Sequence, residues 1–154
     1  MSTWHRGWWA QNRNPTPDSE RTPDSERTAE KSILLVEDDE EMRAALIIVL
    51  SPKYRMTFAV DGIDGYVKAN DLPRPDLIIA DVCMPRLDGL TMVRRIRESD
   101  EVGRPPVPII FLTGYISPGG LAEGLGMSIG TFAYLSKPVD AELLRQKVKK
   151  ALRQ

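Results

Sequence analysis

The chain has 154 residues, a formal net charge of −1 and a single cysteine. This length suggests one domain, and the near-neutral charge gives no whole-chain basic field that would attract nucleic acid. No apolar run is long enough to span a bilayer, and the N-terminus lacks the apolar region of a signal peptide. A lone cysteine excludes an intrachain disulfide and fits a reducing compartment. These features predict a cytoplasmic protein without direct contact to membrane or nucleic acid.

Residues 1–31 differ in composition from the rest of the chain. The hexapeptide TPDSER occurs twice in tandem there, aliphatic residues are almost absent, and basic and acidic residues balance. Such a segment buries too little apolar surface to offset the entropy lost on ordering. We therefore predict a disordered tail over 1–31 and a folded domain over 32–154. The sequence leaves open whether the tryptophans of this tail anchor a partner or have no role: Trp4, Trp8 and Trp9.

From Ser32 onward, short aliphatic runs alternate with amphipathic stretches. The apolar runs predict strands at 32–36, 54–60, 77–80, 109–112 and 131–135. Helical spacing of apolar residues predicts helices at 40–51, 62–70, 88–98 and 140–152. Asp39 and Asp140 stand where helix N-caps are expected. Strands that alternate with helices form a parallel sheet with helices on both faces, so the pattern predicts an α/β fold.

The carboxyl ends of four predicted strands carry polar or charged side chains. Glu37 and Asp38 follow the first strand, Asp81 the third, Thr113 the fourth and Lys137 the fifth. In open α/β sheets, ligands bind beyond the carboxyl ends of the strands. We therefore expect these five residues to share one site.

The chemistry of this residue set points to phosphoryl transfer. Three neighbouring carboxylates repel one another and raise one another's pKa, and a hard divalent cation relieves the repulsion. Mg²⁺ takes oxygen ligands and typically binds one or two carboxylates together with a phosphate. An aspartate can accept a phosphoryl group directly as an acyl phosphate, while the metal and a lysine stabilise the equatorial oxygens. The residues therefore predict Mg²⁺-dependent phosphoryl transfer.

Four motifs occur in order, each at a predicted strand end: LLVEDDEEMR, DLIIADVCMPRLDG, FLTG and YLSKP. Together they resemble the response-regulator receiver domain of bacterial two-component signal transduction, in a stand-alone form similar to chemotaxis regulators. The resemblance extends from Ser32 to the C-terminus. It implies a flavodoxin-like (βα)5 three-layer sandwich whose five parallel strands lie in the order 2-1-3-4-5.

The resemblance also implies a role for each matching residue of the acidic site. Asp81 would accept the phosphoryl group from a sensor histidine kinase or a histidine phosphotransfer protein. Asp38, Asp81 and the backbone carbonyl of Cys83 would bind Mg²⁺, with Glu37 reaching the ion directly or through water. Lys137 would pair with Asp81 and then with the phosphoryl oxygens.

Two further residues would form the switch that the family uses. Thr113 would bond the phosphoryl group, and Tyr134 would follow inward. The change would reach a downstream protein through the face built from the fourth helix, the fifth strand and the fifth helix. The chain ends soon after the last predicted helix, so we expect a single-domain regulator. Its catalysis would be limited to its own phosphorylation and dephosphorylation, and it would act as a monomer or a phosphorylation-linked dimer.

The sequence departs from the family pattern in two places. Segment 114–130 carries six glycines and a proline where the family has its fourth helix. Glycine costs about 1 kcal/mol relative to alanine in a helix interior, so we predict a short, late-starting or mobile helix there. Tyr115 and Cys83 occupy positions that in the family tune dephosphorylation, and a bulky Tyr115 would hinder the attacking water.

Three other interpretations use the same residues. A haloacid-dehalogenase-type phosphatase also has a strand-end aspartate, but it needs a second aspartate where this chain has Cys83. A flavodoxin-like flavin binder needs a phosphate loop rich in serine, threonine and glycine, whereas the EDDEE run after the first strand would repel a phosphate. An unphosphorylated pseudo-receiver that acts as a protein-interaction scaffold stays open from the sequence.

Overall fold

The computed structural model describes residues 30–114 and 129–153, in which strands and helices alternate. The strands are β1 (Ser32–Val36), β2 (Arg55–Ala59), β3 (Leu77–Asp81), β4 (Ile109–Thr113) and β5 (Thr131–Ser136). The helices are α1 (Glu40–Leu50), α2 (Gly62–Asn70), α3 (Gly89–Ser99) and α4 (Ala141–Ala151). Each of these elements was predicted from the sequence to within one residue at either end.

The five strands form one parallel sheet in the order β2-β1-β3-β4-β5. This order confirms the predicted flavodoxin-like α/β fold. The register pairs Val36 with Ala80 and Thr113 with Ser136. The carboxyl ends of the strands therefore meet at one edge of the sheet, where the predicted site residues stand.

Helices cover both faces of the sheet and give a three-layer sandwich. On one face, residues such as Leu34 and Ile78 pack with buried residues of α2 and α3. On the other face, Leu35 and Ile79 pack with buried residues of α1 and α4. All residues of β1, β3 and β4 are buried, as expected for central strands of a parallel sheet covered on both sides.

Each described helix begins after an aspartate that acts as its N-cap. The cap side chain accepts a hydrogen bond from the backbone N–H three residues later, which satisfies one of the free donors of the first turn. The four caps are Asp39, Asp61, Asp88 and Asp140. The caps predicted at Asp39 and Asp140 are thereby confirmed.

Three predictions fall on residues outside the described ranges. They concern the disordered tail, of which only Glu30 and Lys31 are described, the helix within segment 114–130, and the position of Tyr115. The helix that follows β5 therefore carries the label α4 here. Among the helices in the described ranges, none is both long and apolar enough to cross a membrane.

Candidate functional site

Three carboxylates lie together at the carboxyl edge of the sheet. Glu37 directly follows β1 and is fully buried, Asp81 ends β3 and is buried, and Asp38 is exposed. One carboxylate oxygen of each residue lies within 4.8 Å of the corresponding oxygens of the other two. A compact set of oxygen ligands with one member open to solvent fits a hard divalent cation such as Mg²⁺. The structure thus brings together the three acidic residues predicted from the strand ends.

Lys137 reaches the same cluster from the end of β5. Its ammonium group donates hydrogen bonds to Asp81 Oδ2 at 2.8 Å and to Glu37 Oε2 at 3.0 Å. The backbone N–H of Lys137 donates to the carbonyl oxygen of Thr113 at 2.8 Å, which extends the pairing of β4 and β5 beyond the strands. The ammonium therefore offsets part of the repulsion among the carboxylates.

Burial and hydrogen bonding shift the pKa values of Lys137 and Glu37. Burial lowers the pKa of Lys137, but the hydrogen bonds to Asp81 and Glu37 outweigh it, so this pKa lies above its ordinary value. Burial raises the pKa of Glu37, and the hydrogen bonds from Lys137 and from the N–H of Asp39 only partly oppose it. The contacts of ionised Glu37 therefore do not fully replace the hydration that it loses on burial. A further cation near this carboxylate would be favourable.

Both oxygens of the Asp81 carboxylate are held in place. The backbone N–H of Cys83 donates to Oδ1 at 3.0 Å, and Lys137 holds Oδ2. Cys83 is exposed and begins to turn the chain through the loop of residues 82–88 toward α3. The N–H of Gly89 closes this loop by donating to the carbonyl of Val82 at 3.0 Å. The carboxylate therefore presents a fixed orientation to any group that enters the site.

The two predicted switch residues lie on neighbouring strands of the same region. Thr113 is buried at the end of β4, one residue beyond Leu112, which is the sheet partner of Asp81. The ring of Tyr134 stacks on Phe111 with a centroid distance of 5.5 Å. The Tyr134 hydroxyl is buried and has no hydrogen-bond partner among the residues described. Thr113 thus adjoins the acidic cluster, while Tyr134 lies further down the sheet.

Two arginines beside the site were not singled out from the sequence. Arg43, on α1, donates from Nη1 to the carbonyl of Glu37 at 2.9 Å. Arg86, in the loop after Asp81, lies 3.2 Å from the buried Asp61 carboxylate. The contact of Arg43 is local, since Glu37 lies six residues before it at the turn into α1. The pairing of Arg86 with Asp61 could not be predicted, because these residues lie 25 positions apart and become neighbours only in the fold.

The fold and the site together define a parallel α/β domain with an acidic, lysine-containing centre at its strand ends. Comparison with protein families gives a match to the response regulator receiver domain over residues 33–149. The chain belongs to this family, which confirms the resemblance seen in the four motifs. Receiver domains are signalling domains that bind Mg²⁺ at an acidic pocket and catalyse only their own phosphorylation and dephosphorylation.

Similar curated proteins include longer regulators. The transcriptional regulatory protein AfsQ1 of Streptomyces coelicolor is 37% identical over 123 residues, which cover 79% of this chain and 51% of AfsQ1. The response regulator MprA of a Mycobacterium species is also 37% identical, over 79% of this chain and 50% of MprA. The chain thus spans about half the length of these curated relatives.

Solved structures of receiver domains share the fold. The chemotaxis response regulator CheY4 of Vibrio cholerae superimposes with a TM-score of 0.69 at 29% identity, covering 80% of this chain and 99% of CheY4. The receiver domain of the Francisella response regulator 1452 gives a TM-score of 0.69 at 25% identity, over 80% of this chain and 97% of that domain. These likenesses agree with the observed strand order.

Proposed function

We propose that this receiver domain accepts a phosphoryl group on Asp81, in a Mg²⁺-dependent reaction, from a sensor histidine kinase or a histidine phosphotransfer protein. The observation that carries the proposal is the environment of Asp81. Its carboxylate lies within a cluster of three acids, and both of its oxygens are held, by Cys83 and by Lys137. A fixed carboxylate beside a cation site and an ammonium group suits attack on a phosphoryl group.

In the transfer, a carboxylate oxygen of Asp81 forms a bond to phosphorus as the bond from phosphorus to the histidine nitrogen breaks. The product is an acyl phosphate, and the released nitrogen keeps the electron pair of the broken bond. Lys137 then moves a hydrogen bond to a phosphoryl oxygen and balances part of the added charge, about −1.5 to −2 at pH 7.

The metal would be held by Asp38, Asp81 and the backbone carbonyl of Cys83, with Glu37 direct or through water. When bound, Mg²⁺ supplies neutralisation of the charge that develops on the phosphoryl oxygens. The fit rests on three observations: the donors are all oxygens, Asp38 is open to solvent, and fully buried Glu37 shares its ammonium partner with Asp81. The site therefore matches the chemistry of a hard cation.

Phosphorylation would be passed on through Thr113 and Tyr134. Thr113 would donate its hydroxyl to the phosphoryl group, and Tyr134 would move with it. The buried, unpartnered hydroxyl of Tyr134 among the described residues supports a side chain with a second favourable position, because a buried hydroxyl without a hydrogen bond is costly. The phosphoryl group would then shift the population between two arrangements of the face that includes β5 and α4.

The output would be contact with a downstream protein in the cytoplasm, as a single-domain regulator, monomeric or dimeric on phosphorylation. The formal net charge of −1 supports a protein partner over direct contact with nucleic acid. This part of the proposal applies to the 154-residue chain, since its curated relatives are about twice as long.

The test is the intact mass of the full chain after incubation with acetyl phosphate and Mg²⁺. We expect one phosphoryl adduct on the wild type, none on Asp81→Asn and none in EDTA. Asp71→Asn, which removes an exposed carboxylate just after α2, is the matched control and should keep the adduct. Absence of both an adduct and a beryllofluoride complex in the wild type would contradict the proposal and favour a pseudo-receiver scaffold.

A further inference from the structure

The loop of residues 82–88 is tied to the start of α2 by an ion pair. Arg86 Nη2 lies 3.2 Å from Asp61 Oδ2. The Asp61 side chain is only 8% exposed, whereas that of Arg86 is 68% exposed. The other oxygen of Asp61, Oδ1, accepts the N–H of Asp64 at 2.8 Å as the cap of α2. A buried carboxylate thus has one partner in its own helix and one in the loop that follows Asp81.

The backbone of Arg86 has an uncommon conformation for this residue type. Its φ is 68°, in the left-handed region that glycine adopts without cost and other residues rarely adopt. A residue other than glycine keeps such a conformation when contacts with its surroundings stabilise it. The side chain of Arg86 offers what glycine cannot, which is a charge that reaches Asp61.

The ion pair acts across a close backbone contact. A Cβ atom added to Gly62, the first residue of α2, would clash with the carbonyl oxygen of Leu87. A Cβ atom added to Gly89 would clash with the carbonyl oxygen of Asp81. The loop is therefore packed against α2 on one side and against the end of β3 on the other, so a shift at Arg86 would be passed along it.

Cys83, in the same loop, connects this packing to the chemistry. Its N–H holds Asp81 Oδ1 at 3.0 Å, and its carbonyl belongs to the proposed Mg²⁺ ligands. We infer that Arg86 is a positioning residue for the phosphoryl-transfer site: by pairing with Asp61, it holds the loop so that Cys83 serves both Asp81 and the ion. This inference rests on the proposed function, because Mg²⁺ is the ligand that the loop would serve.

Several variants separate the ion pair from the features around it. Arg86→Gly removes the charge and leaves a residue that accepts a positive φ. Asp61→Asn removes the charge and keeps an oxygen that can cap α2. Arg86→Lys keeps a positive charge and should retain part of the effect. Arg104→Gly removes another exposed arginine, from a loop at the opposite edge of the sheet, and so controls for net charge.

The experiment is a calorimetric titration of the full chain with Mg²⁺, repeated for each variant and for the double variant Arg86→Gly with Asp61→Asn. We expect about tenfold weaker binding in Arg86→Gly and in Asp61→Asn, in line with residues that orient metal ligands. The double variant should bind no more weakly than either single variant, because all three lack the same pair. Arg104→Gly should bind as the wild type does.

The direction in which Arg86→Gly changes Mg²⁺ affinity separates an effect of charge from an effect of the loop. Loss of a positive charge near a cation site would by itself strengthen Mg²⁺ binding, so weaker binding must arise from the loop. A residue that merely stabilised the fold would lower the thermal unfolding temperature measured without Mg²⁺ and leave the dissociation constant unchanged. That result, or tighter binding by Arg86→Gly, would overturn the inference.

The same titration separates failure of the inference from failure of the proposed function. A wild type that binds Mg²⁺ but gives neither an adduct with acetyl phosphate nor a beryllofluoride complex would overturn phosphoryl acceptance, while the comparison of variants would still decide the role of Arg86. Strictly additive effects in the double variant would overturn only the inference. A wild type that binds no Mg²⁺ would overturn both.

Discussion

Lys137 lies between two acidic side chains, and both of its contacts are short. Glu37 is fully buried, Asp81 nearly so, and the lysine side chain is 24% exposed. Removal of one partner of a buried ion pair leaves an uncompensated charge, which costs several kcal/mol when the pair is fully dry and less when water reaches one member. Loss of the lysine would therefore leave two buried carboxylates without their ammonium partner.

We expect Lys137→Met to destabilise the domain by about 1–3 kcal/mol in the absence of divalent ions, because it leaves two carboxylates without their ammonium partner. Saturating Mg²⁺ should restore a large part of this loss, since the ion supplies the missing positive charge. The measurement is urea unfolding followed by circular dichroism, with and without Mg²⁺. Equal losses under both conditions would show that the ion does not reach these carboxylates.

The identity of the site residues could be predicted because each one ends a strand or follows it within two residues. Glu37, Asp38, Asp81 and Lys137 needed only the parallel arrangement to become neighbours. The pair of Arg86 and Asp61 could not be predicted in this way, because it depends on a left-handed backbone at one residue and on the close approach of α2 to a loop. Such details come from tertiary packing rather than from local pattern.

At the scale of elements, α2 packs closely on β1 and α3 at Gly65. A Cβ atom added to Gly65 would lie 2.6 Å from Met92 Sδ and 2.9 Å from Val36 Cγ1. Both distances are shorter than van der Waals contact, so the small residue allows α2 to approach β1 and α3 together. Glycine lowers the intrinsic helix propensity of α2, and its small size allows the close packing on β1 and α3.

Gly65→Ala should destabilise the domain by about 1 kcal/mol or more. Alanine gains about 1 kcal/mol of helix propensity, but overpacking of a close interface typically costs about 1–3 kcal/mol. Gly114→Ala is the control, because an added Cβ there would meet no atom of the described residues within 4 Å. Urea unfolding of both variants tests the expectation, and a Gly65→Ala chain more stable than the wild type would contradict the close packing.

The start of α3 offers a second element-scale prediction. Asp88 accepts hydrogen bonds from the N–H of Thr91 at 2.9 Å and from its hydroxyl at 2.6 Å. Burial raises the pKa of the Asp88 carboxyl, but these hydrogen bonds outweigh it, so the pKa lies below its ordinary value of 3.8. The stability that Asp88 contributes is therefore present above the unfolded-state pKa and is lost as the pH falls through the folded-state pKa.

Asp88→Ala should cost about 1 kcal/mol near neutral pH through loss of the cap. Asp88→Asn should keep most of the capping and lose the carboxyl titration. The measurement is the free energy of unfolding from pH 7 down to about pH 3, where the wild type should lose more stability than Asp88→Asn. Parallel pH profiles would show that the cap does not depend on the charge.

At the scale of the whole molecule, Lys31, just before β1, already contacts the folded part of the chain. Lys31 Nζ donates to Asp76 Oδ1 at 3.1 Å, and the N–H of Ser32 donates to Asp76 Oδ2 at 2.8 Å. The strands and helices of the described ranges could be predicted because unbroken apolar runs and helical spacing alternate clearly. The short, late-starting or mobile helix predicted within 114–130 stays a prediction, because most of that segment lies outside the described residues.

We propose that residues 1–29 add nothing to the stability of the domain. Their removal should change the free energy of unfolding by less than about 0.5 kcal/mol, the usual range for changes outside packed structure. Removal of 1–36 deletes β1 and should abolish folding. Circular dichroism is the appropriate probe, because all three tryptophans leave with the first segment. A large loss from the shorter truncation would contradict the proposed domain boundary.

The central position of β1 has a consequence for synthesis of the chain. β1 pairs with β2 and β3, and these three strands all lie between residues 32 and 81. β5 is the last strand in chain order, and Lys137 follows it. Domains generally fold as units, and the non-local pairings of a parallel sheet form slowly. Glu37, Asp38 and Asp81 are synthesised before their lysine, which lies 56 residues beyond Asp81 in the chain. The three carboxylates of a chain still being synthesised therefore lack this ammonium partner until β5 and Lys137 have emerged.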